Sequence, residues 1–240
     1  MRAKSKLKYG RILLKLSGEV LGGAKGEGID FDYLDSLCKE VAEVKKLGVE
    51  LAIVVGGGNF WRYRDFKDSG LDRVHSDYMG MLATVMNSMA MANAFNKMGV
   101  KARAMSAIKM PVVLQTYIRD KAIDELEDGE IIICAGGTGS PFFTTDSAAA
   151  LRALELECDA IFKATKVDYV YDKDPMRFKN AKSFKKLSYD EVLRRELEVM
   201  DLAAISLCSG AKMPIVVFNL KKRGNIAKAV KGEAVGTLIN

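Results

Sequence analysis

The chain has 240 residues, of which 49% are hydrophobic and 28% charged, with a formal charge of +6. Those proportions exclude a disordered or fibrous chain, and the length lets one α/β domain bury roughly 70–75% of its unfolded surface without disulfide or metal staples. No apolar run approaches the ~20 residues that span a bilayer, and Lys15 interrupts the first one, so neither a membrane segment nor a secretory leader is expected.

Arg2, Lys4, Lys6, Lys8 and Arg11 crowd residues 1–11 without an acid. They read as a solvated basic head rather than a nucleic-acid surface. The first strand pattern follows at 11–16. Next comes a helical stripe over Asp32–Leu47 (Leu34, Leu37, Val41, Val44, Leu47), with Asp30 or Asp32 as N-cap and Gly48 as stop. Strand patterns recur at 50–55, 100–105, 131–135, 160–164 and 215–219. A long helix over 77–98 holds Met79, Met81, Met86, Met89, Met91 and Met98, a stripe suited to core or to a subunit contact. Ser188 and Glu191 form a capping box that opens a further helix. Apolar strands without alternation, separated by helices, predict a three-layer α/β/α sandwich around a mainly parallel sheet, as one domain over 1–240. Cys38, Cys134, Cys158 and Cys208 are widely spaced and His75 is the single histidine. The cysteines therefore read as buried thiols of a cytoplasmic protein rather than zinc ligands, and His75 as a surface or interface residue.

In open α/β sheets, ligands bind beyond the carboxyl ends of strands. There the chain carries Lys15-Leu16-Ser17-Gly18, Gly56-Gly57-Gly58-Asn59, Gly136–Thr145 and Thr165-Lys166. Glycine lets backbone N–H groups approach an anion, and helix N-termini favour negative charge. Several such loops on one edge predict a polyphosphate site. The spacing matches neither G-x-G-x-x-G nor G-x-x-x-x-G-K-[ST]. Lys15, a cation ending an apolar strand, is expected to face that site. Asp146 is expected to cap the helix that follows it, to orient cations beside transferring phosphates, or both. Asp201 reads as a cap before Leu202-Ala203-Ala204, and Arg62 as either a phosphate brace or a solvated side chain.

With these residues laid out, the chain resembles the bacterial uridylate kinases of the amino acid kinase family. The carriers are Arg11–Glu19, Gly56–Asn59, Asp77–Asn87, Gly137–Asp146, Lys163–Asp168, Met200–Ala204 and Gly236–Ile239. The resemblance implies transfer of the ATP γ-phosphoryl group to UMP with Mg²⁺, in pyrimidine nucleotide biosynthesis. It implies catalytic roles for Lys15, Asp146 and Asp201. ATP would be held by Lys15, Leu16, Ser17, Gly18, Gly58, Arg62, Lys163, Thr165, Tyr171 and Asp174. UMP would be held by Gly57, Asp77, Thr138, Gly139, Ser140, Pro141, Phe142, Phe143, Thr144 and Thr145. The N-terminal half would thus serve mainly the acceptor and the C-terminal half mainly ATP. Further implications are a homohexamer, with GTP and UTP as effectors and Gly23, Ala24, Lys25, Gly26, Glu27 and Gly28 as the GTP-responsive loop. Neither a nucleic-acid nor a membrane partner is expected, and no residue is assigned as a direct metal ligand. Ser140, Tyr63 and Tyr169 depart from the family pattern, where Asn, Gly and Gly are common. A kinase of the same fold acting on carbamate, an amino acid carboxylate or isopentenyl phosphate, or a non-catalytic nucleotide- or oxyanion-binding protein, are the rival readings.

Overall fold

The computed structural model describes residues 7–63, 65 and 70–240. The basic positions Arg2, Lys4 and Lys6 lie outside the described residues. In chain order the strands are β1 (Arg11–Leu16), β2 (Glu50–Val55), β3 (Ala102–Ser106), β4 (Gln115–Thr116), β5 (Ile131–Ala135), β6 (Ala160–Thr165), β7 (Val170–Tyr171), β8 (Ser183–Phe184), β9 (Lys186–Leu187), β10 (Ile215–Asn219) and β11 (Gly236–Ile239). The helices are α1 (Gly18–Leu21), α2 (Phe31–Lys45), α3 (Arg73–Lys97), α4 (Arg119–Glu127), α5 (Thr145–Glu155), α6 (Tyr189–Arg194), α7 (Leu202–Ala211) and α8 (Asn225–Val230).

The main sheet runs β4-β3-β5-β2-β1-β6-β10-β11-β9. It is parallel from β4 to β10, and the pairing of β10 with β11 is antiparallel. Because side chains alternate across a strand, each strand feeds two cores. Ile12, Leu14, Leu16, Ile53, Phe162 and Phe218 pack with α2, α3 and α8. Leu13, Val54, Ile132, Ile161 and Val217 pack with α4, α5, α6 and α7. This is the expected three-layer sandwich. β1 lies at its centre, where successive crossovers change direction from β2 on one side to β6 on the other.

Several expectations need correction. Arg11 does not belong to a solvated basic head. It opens β1 and pairs with Glu50 (2.5 Å) and Glu127 (3.0 Å), while one guanidinium nitrogen donates to the Leu156 carbonyl. The long helix starts at Arg73, not Asp77, because Asp72 caps it by accepting from the N–H groups of Val74 and His75. Asp30, rather than Asp32, caps α2. The third strand starts two residues later than expected, at Ala102, and ends one later, at Ser106. The methionines divide: Met81 and Met91 are buried, whereas Met79, Met86 and Met89 are exposed. All four cysteines are buried and free, and burial pushes the Cys38, Cys134 and Cys208 thiols up to about 12. His75 is exposed and contacts the Asp72 carboxylate. Among the described residues no helix is long and apolar enough to cross a membrane.

Candidate active site

Lys15 and Lys163 occupy paired positions on β1 and β6. Each falls two residues after an apolar residue that points to the α5 layer, Leu13 on β1 and Ile161 on β6, so both ammonium groups emerge on the α5 face. Like charges directly opposite one another in a sheet repel. The compensation is Asp146, in the first turn of α5: its Oδ1 lies 2.7 Å from Lys15 Nζ and its Oδ2 accepts from Lys163 Nζ at 2.7 Å. The three side chains are only 12–16% exposed. Burial raises the Asp146 pKa, but the charges of Lys15 and Lys163 outweigh it and hold the carboxyl below its ordinary value. Burial and then the charge of Lys15 lower the Lys163 pKa, against the pull of Asp146. Two ammonium groups share one carboxylate, and the charge of Asp201 acts on Lys163 from further away.

Asp146 is not the helix cap. Thr144 caps α5, accepting from the N–H groups of Asp146 and Ser147, which leaves the Asp146 carboxylate for the lysines. Asp201 does cap its helix, α7, by accepting from the Ala204 N–H at 2.9 Å. The same carboxylate accepts from the hydroxyls of Thr144 and Ser147, which locks the start of α5 to the start of α7. Lys163 also donates to the Val199 carbonyl, in the segment leading to Asp201.

The glycine loop after β2 packs tightly against β1. A Cβ on Gly18 would collide with the Gly56 carbonyl and lie 2.7 Å from Asn59 Oδ1, and one on Gly57 would lie 2.6 Å from the Gly80 carbonyl of α3. Only glycine permits such approach. Two buried amides fix the loop. Asn87 Nδ2 donates to the Gly56 carbonyl (2.7 Å) and to Asn59 Oδ1 (2.8 Å), and Asn59 Nδ2 donates to the Gly28 carbonyl (2.6 Å). Neither asparagine was assigned a role from sequence. The signal was available as a polar residue in the buried stripe of α3. Thr84, another such residue, accepts from the Gly136 N–H at 2.8 Å.

Arg62 Nε donates to the Gly58 carbonyl (2.6 Å), and its guanidinium pairs with Glu19 (3.0 Å), which also pairs with Lys166 (2.7 Å). Gly58, Arg62, Thr165 and residues 23–27 line one cavity of about 1190 Å³. The loop expected to respond to GTP is therefore a wall of the space beside three expected ATP residues, and its Gly28 is paired with Asn59. Leu16 is fully buried in the core, so only its backbone borders the site. Ser17 precedes α1 without a side-chain capping bond. Tyr171 and Asp174 lie away from that cavity, on β7 and the turn after it, where Asp174 accepts from the Met176 N–H. Tyr169 packs edge-on against Tyr171.

The segment Thr138–Thr145 runs from β5 to α5. Thr138 Oγ1 accepts from the Ser140 N–H and donates to its carbonyl. Phe142 and Phe143 are exposed, and Pro141 is half-buried. Phe142 has φ 71°, a left-handed conformation that costs an L-residue about 1–2 kcal/mol. Its N–H donates to Asp77 Oδ2 at 2.7 Å. The structure thus joins Gly57, Asp77 and Thr138–Thr145 on one side of the lysine cluster, through Gly136 and α3.

Among the described residues no group of three or more His, Cys, Asp or Glu side chains could cage a metal. The carboxylates of Asp146 and Asp201 are both committed to protein donors. Such a set fits a divalent ion carried mainly by nucleotide phosphates, the usual arrangement for Mg²⁺.

A model of the amino acid kinase family matches residues 10–219. Among solved structures, the UMP kinase of Bacillus anthracis is 38% identical, with a TM-score of 0.94, covering 97% of this chain and 96% of that one. The UMP kinase of Ureaplasma parvum is 34% identical, with a TM-score of 0.91 and coverage of 97% and 99%. The uridylate kinase of Archaeoglobus fulgidus is 30% identical, with a TM-score of 0.71 and coverage of 95% and 99%. A cation pair clamped at the centre of a mostly parallel sheet, glycine loops beside it and likeness along nearly the whole chain agree: the chain belongs to the amino acid kinase family.

Proposed function

We propose that the chain is a phosphotransferase that moves the γ-phosphoryl group of ATP to UMP, giving ADP and UDP, in pyrimidine nucleotide biosynthesis in the cytoplasm. The observation that carries this reading is the Lys15–Asp146–Lys163 cluster, two ammonium groups on one carboxylate, beside the glycine loops that follow β2 and β5. Phosphoryl transfer has a loose transition state, so catalysis is mostly positioning and charge stabilisation. A UMP phosphate oxygen attacks the γ-phosphorus while the bond to the bridging oxygen of ADP breaks. That phosphate has its second pKa near ~6 and is already largely ionised, so no general base is required. Lys15 stabilises charge on the transferring group and Lys163 supports the donor phosphates. Asp146 aims both, and Asp201 keeps the α5 terminus in place. When bound with the nucleotide, Mg²⁺ would supply further charge neutralisation, and Asp146 and Asp201 are the carboxylates that would lie beside it.

In this reading Gly57, Asp77 and Thr138–Thr145 take UMP, and the acceptor belongs mainly to the N-terminal half. Ser17, Gly18, Gly58, Arg62, Thr165, Tyr171 and Asp174 take ATP, with the C-terminal half providing most of the nucleoside contacts. The chain assembles as a hexamer in which the exposed face of α3 joins copies, and loop 23–28 answers GTP, with UTP as inhibitor. That the solved relatives are UMP and uridylate kinases supports the acceptor. A coupled ADP-release assay with UMP, CMP, dUMP and carboxylate acceptors tests it. Release that depends on UMP is the expected result, and equal or greater release with a carboxylate acceptor would overturn the reading.

A further inference from the structure

We infer that Arg73, braced by the Tyr63 ring, is a positioning residue for the acceptor nucleotide. It aims the Asp77 carboxylate and, through that group, holds the backbone of Phe142. The inference rests on the uridylate reading of this same site and adds Arg73 and Tyr63, to which the resemblance assigned no binding role.

A carboxylate offers about four lone-pair positions. The Arg73 Nε–H lies between both Asp77 oxygens, at 2.8 and 2.9 Å, and the Phe142 N–H takes a further place on Oδ2 at 2.7 Å. The described contacts leave room on Oδ1 for one more donor, such as a sugar hydroxyl. Asp77 is 13% exposed, so a small part of its carboxylate stays open to a ligand. The guanidinium carbon of Arg73 stands 4.8 Å from the Tyr63 ring centroid and 5.9 Å from that of Phe142, both within cation–π range. One side chain thereby ties together three segments: the continuation of the glycine loop at Tyr63, the first turn of α3, and the acceptor segment at its left-handed residue. The contacts of the Lys15–Asp146–Lys163 cluster include none of these groups. Loss of Arg73 should therefore weaken the acceptor side and spare the donor side. Lysine is a poor replacement, because it lacks both the Nε–H at this place and the flat face that meets the rings.

The test is steady-state kinetics on the full-length protein with UMP, dUMP and ATP varied separately. Arg73→Ala should raise KM for UMP about tenfold or more, as expected for a lost charge-assisted hydrogen bond, with KM for ATP within about twofold. Its preference for UMP over dUMP should shrink. Arg73→Lys should restore little, Tyr63→Ala should raise KM for UMP in the same direction, and Tyr63→Phe should behave as wild type. A wild-type KM for UMP in Arg73→Ala, or equal rises in the KM of UMP and ATP, overturns the inference alone. Should Arg73→Ala not fold, Tyr63→Ala against Tyr63→Phe decides: no difference between them overturns it. Absence of UMP-dependent turnover in the wild-type protein overturns the functional reading and this inference with it.

Discussion

Lys15, Lys163 and Asp146 form a unit whose members cannot be valued singly. Replacing Lys15 by Ala removes a preorganised cation, and kcat should fall roughly 10²–10³-fold while circular dichroism stays unchanged. Asp146→Asn leaves two buried ammonium groups facing each other and should cost about 3 kcal/mol, read as a lower midpoint in urea. The acid dependence follows from the same group. Its folded pKa lies below the ordinary 3.8. Its stabilisation is therefore present above that pH and is lost as pH falls towards the depressed folded value. In Asp146→Asn the melting temperature should change less on acidification below pH 3.8 than it does in the wild type. Lys15 could be picked from the sequence because a cation ends an apolar run. Its partnership with Lys163 could not, since 148 positions' separation carries no local pattern, and only strand pairing sets the two in register.

Helices and strands were legible in proportion to the area they bury. The stripe of α2 and the capping box of α6 were visible because several residues repeat one periodicity or one cap chemistry. The nine-residue α4 was missed: it is mostly charged and buries only Ala122 and Leu126. The short β4, β7, β8 and β9 were missed as well, because two-residue strands are defined by their partners. At this scale Asp201 joins α5 to α7, so its removal should act on both helices. Asp201→Ala should cost about 1–2 kcal/mol for the α7 cap and lower kcat through the displaced start of α5. Asp201→Asn keeps an oxygen for capping and should recover most of the stability in a denaturant titration.

Across the whole molecule, the exposed face of α3 stands out: Tyr78, Met79, Leu82, Met86 and Met89 are each 39–48% exposed on one 25-residue helix. Glutamate at both Leu82 and Met86 should lower the mass seen by light scattering without unfolding the chain, if this face joins copies as proposed. An unchanged mass would assign assembly to another surface. The sequence alone determined the class of the fold, the parallel strands and the loops rich in glycine, because apolar runs, helical stripes and turn residues are local properties. Tertiary structure alone decided that β6 pairs with β1 to set two lysines side by side, that the Asp146 carboxylate meets both of them, and that the Phe142 N–H reaches Asp77 beside the Arg73–Tyr63 contact. Those outcomes depend on sheet order and crossovers, which bring distant residues within hydrogen-bond reach, and no local periodicity encodes a distance between residues so far apart in the chain.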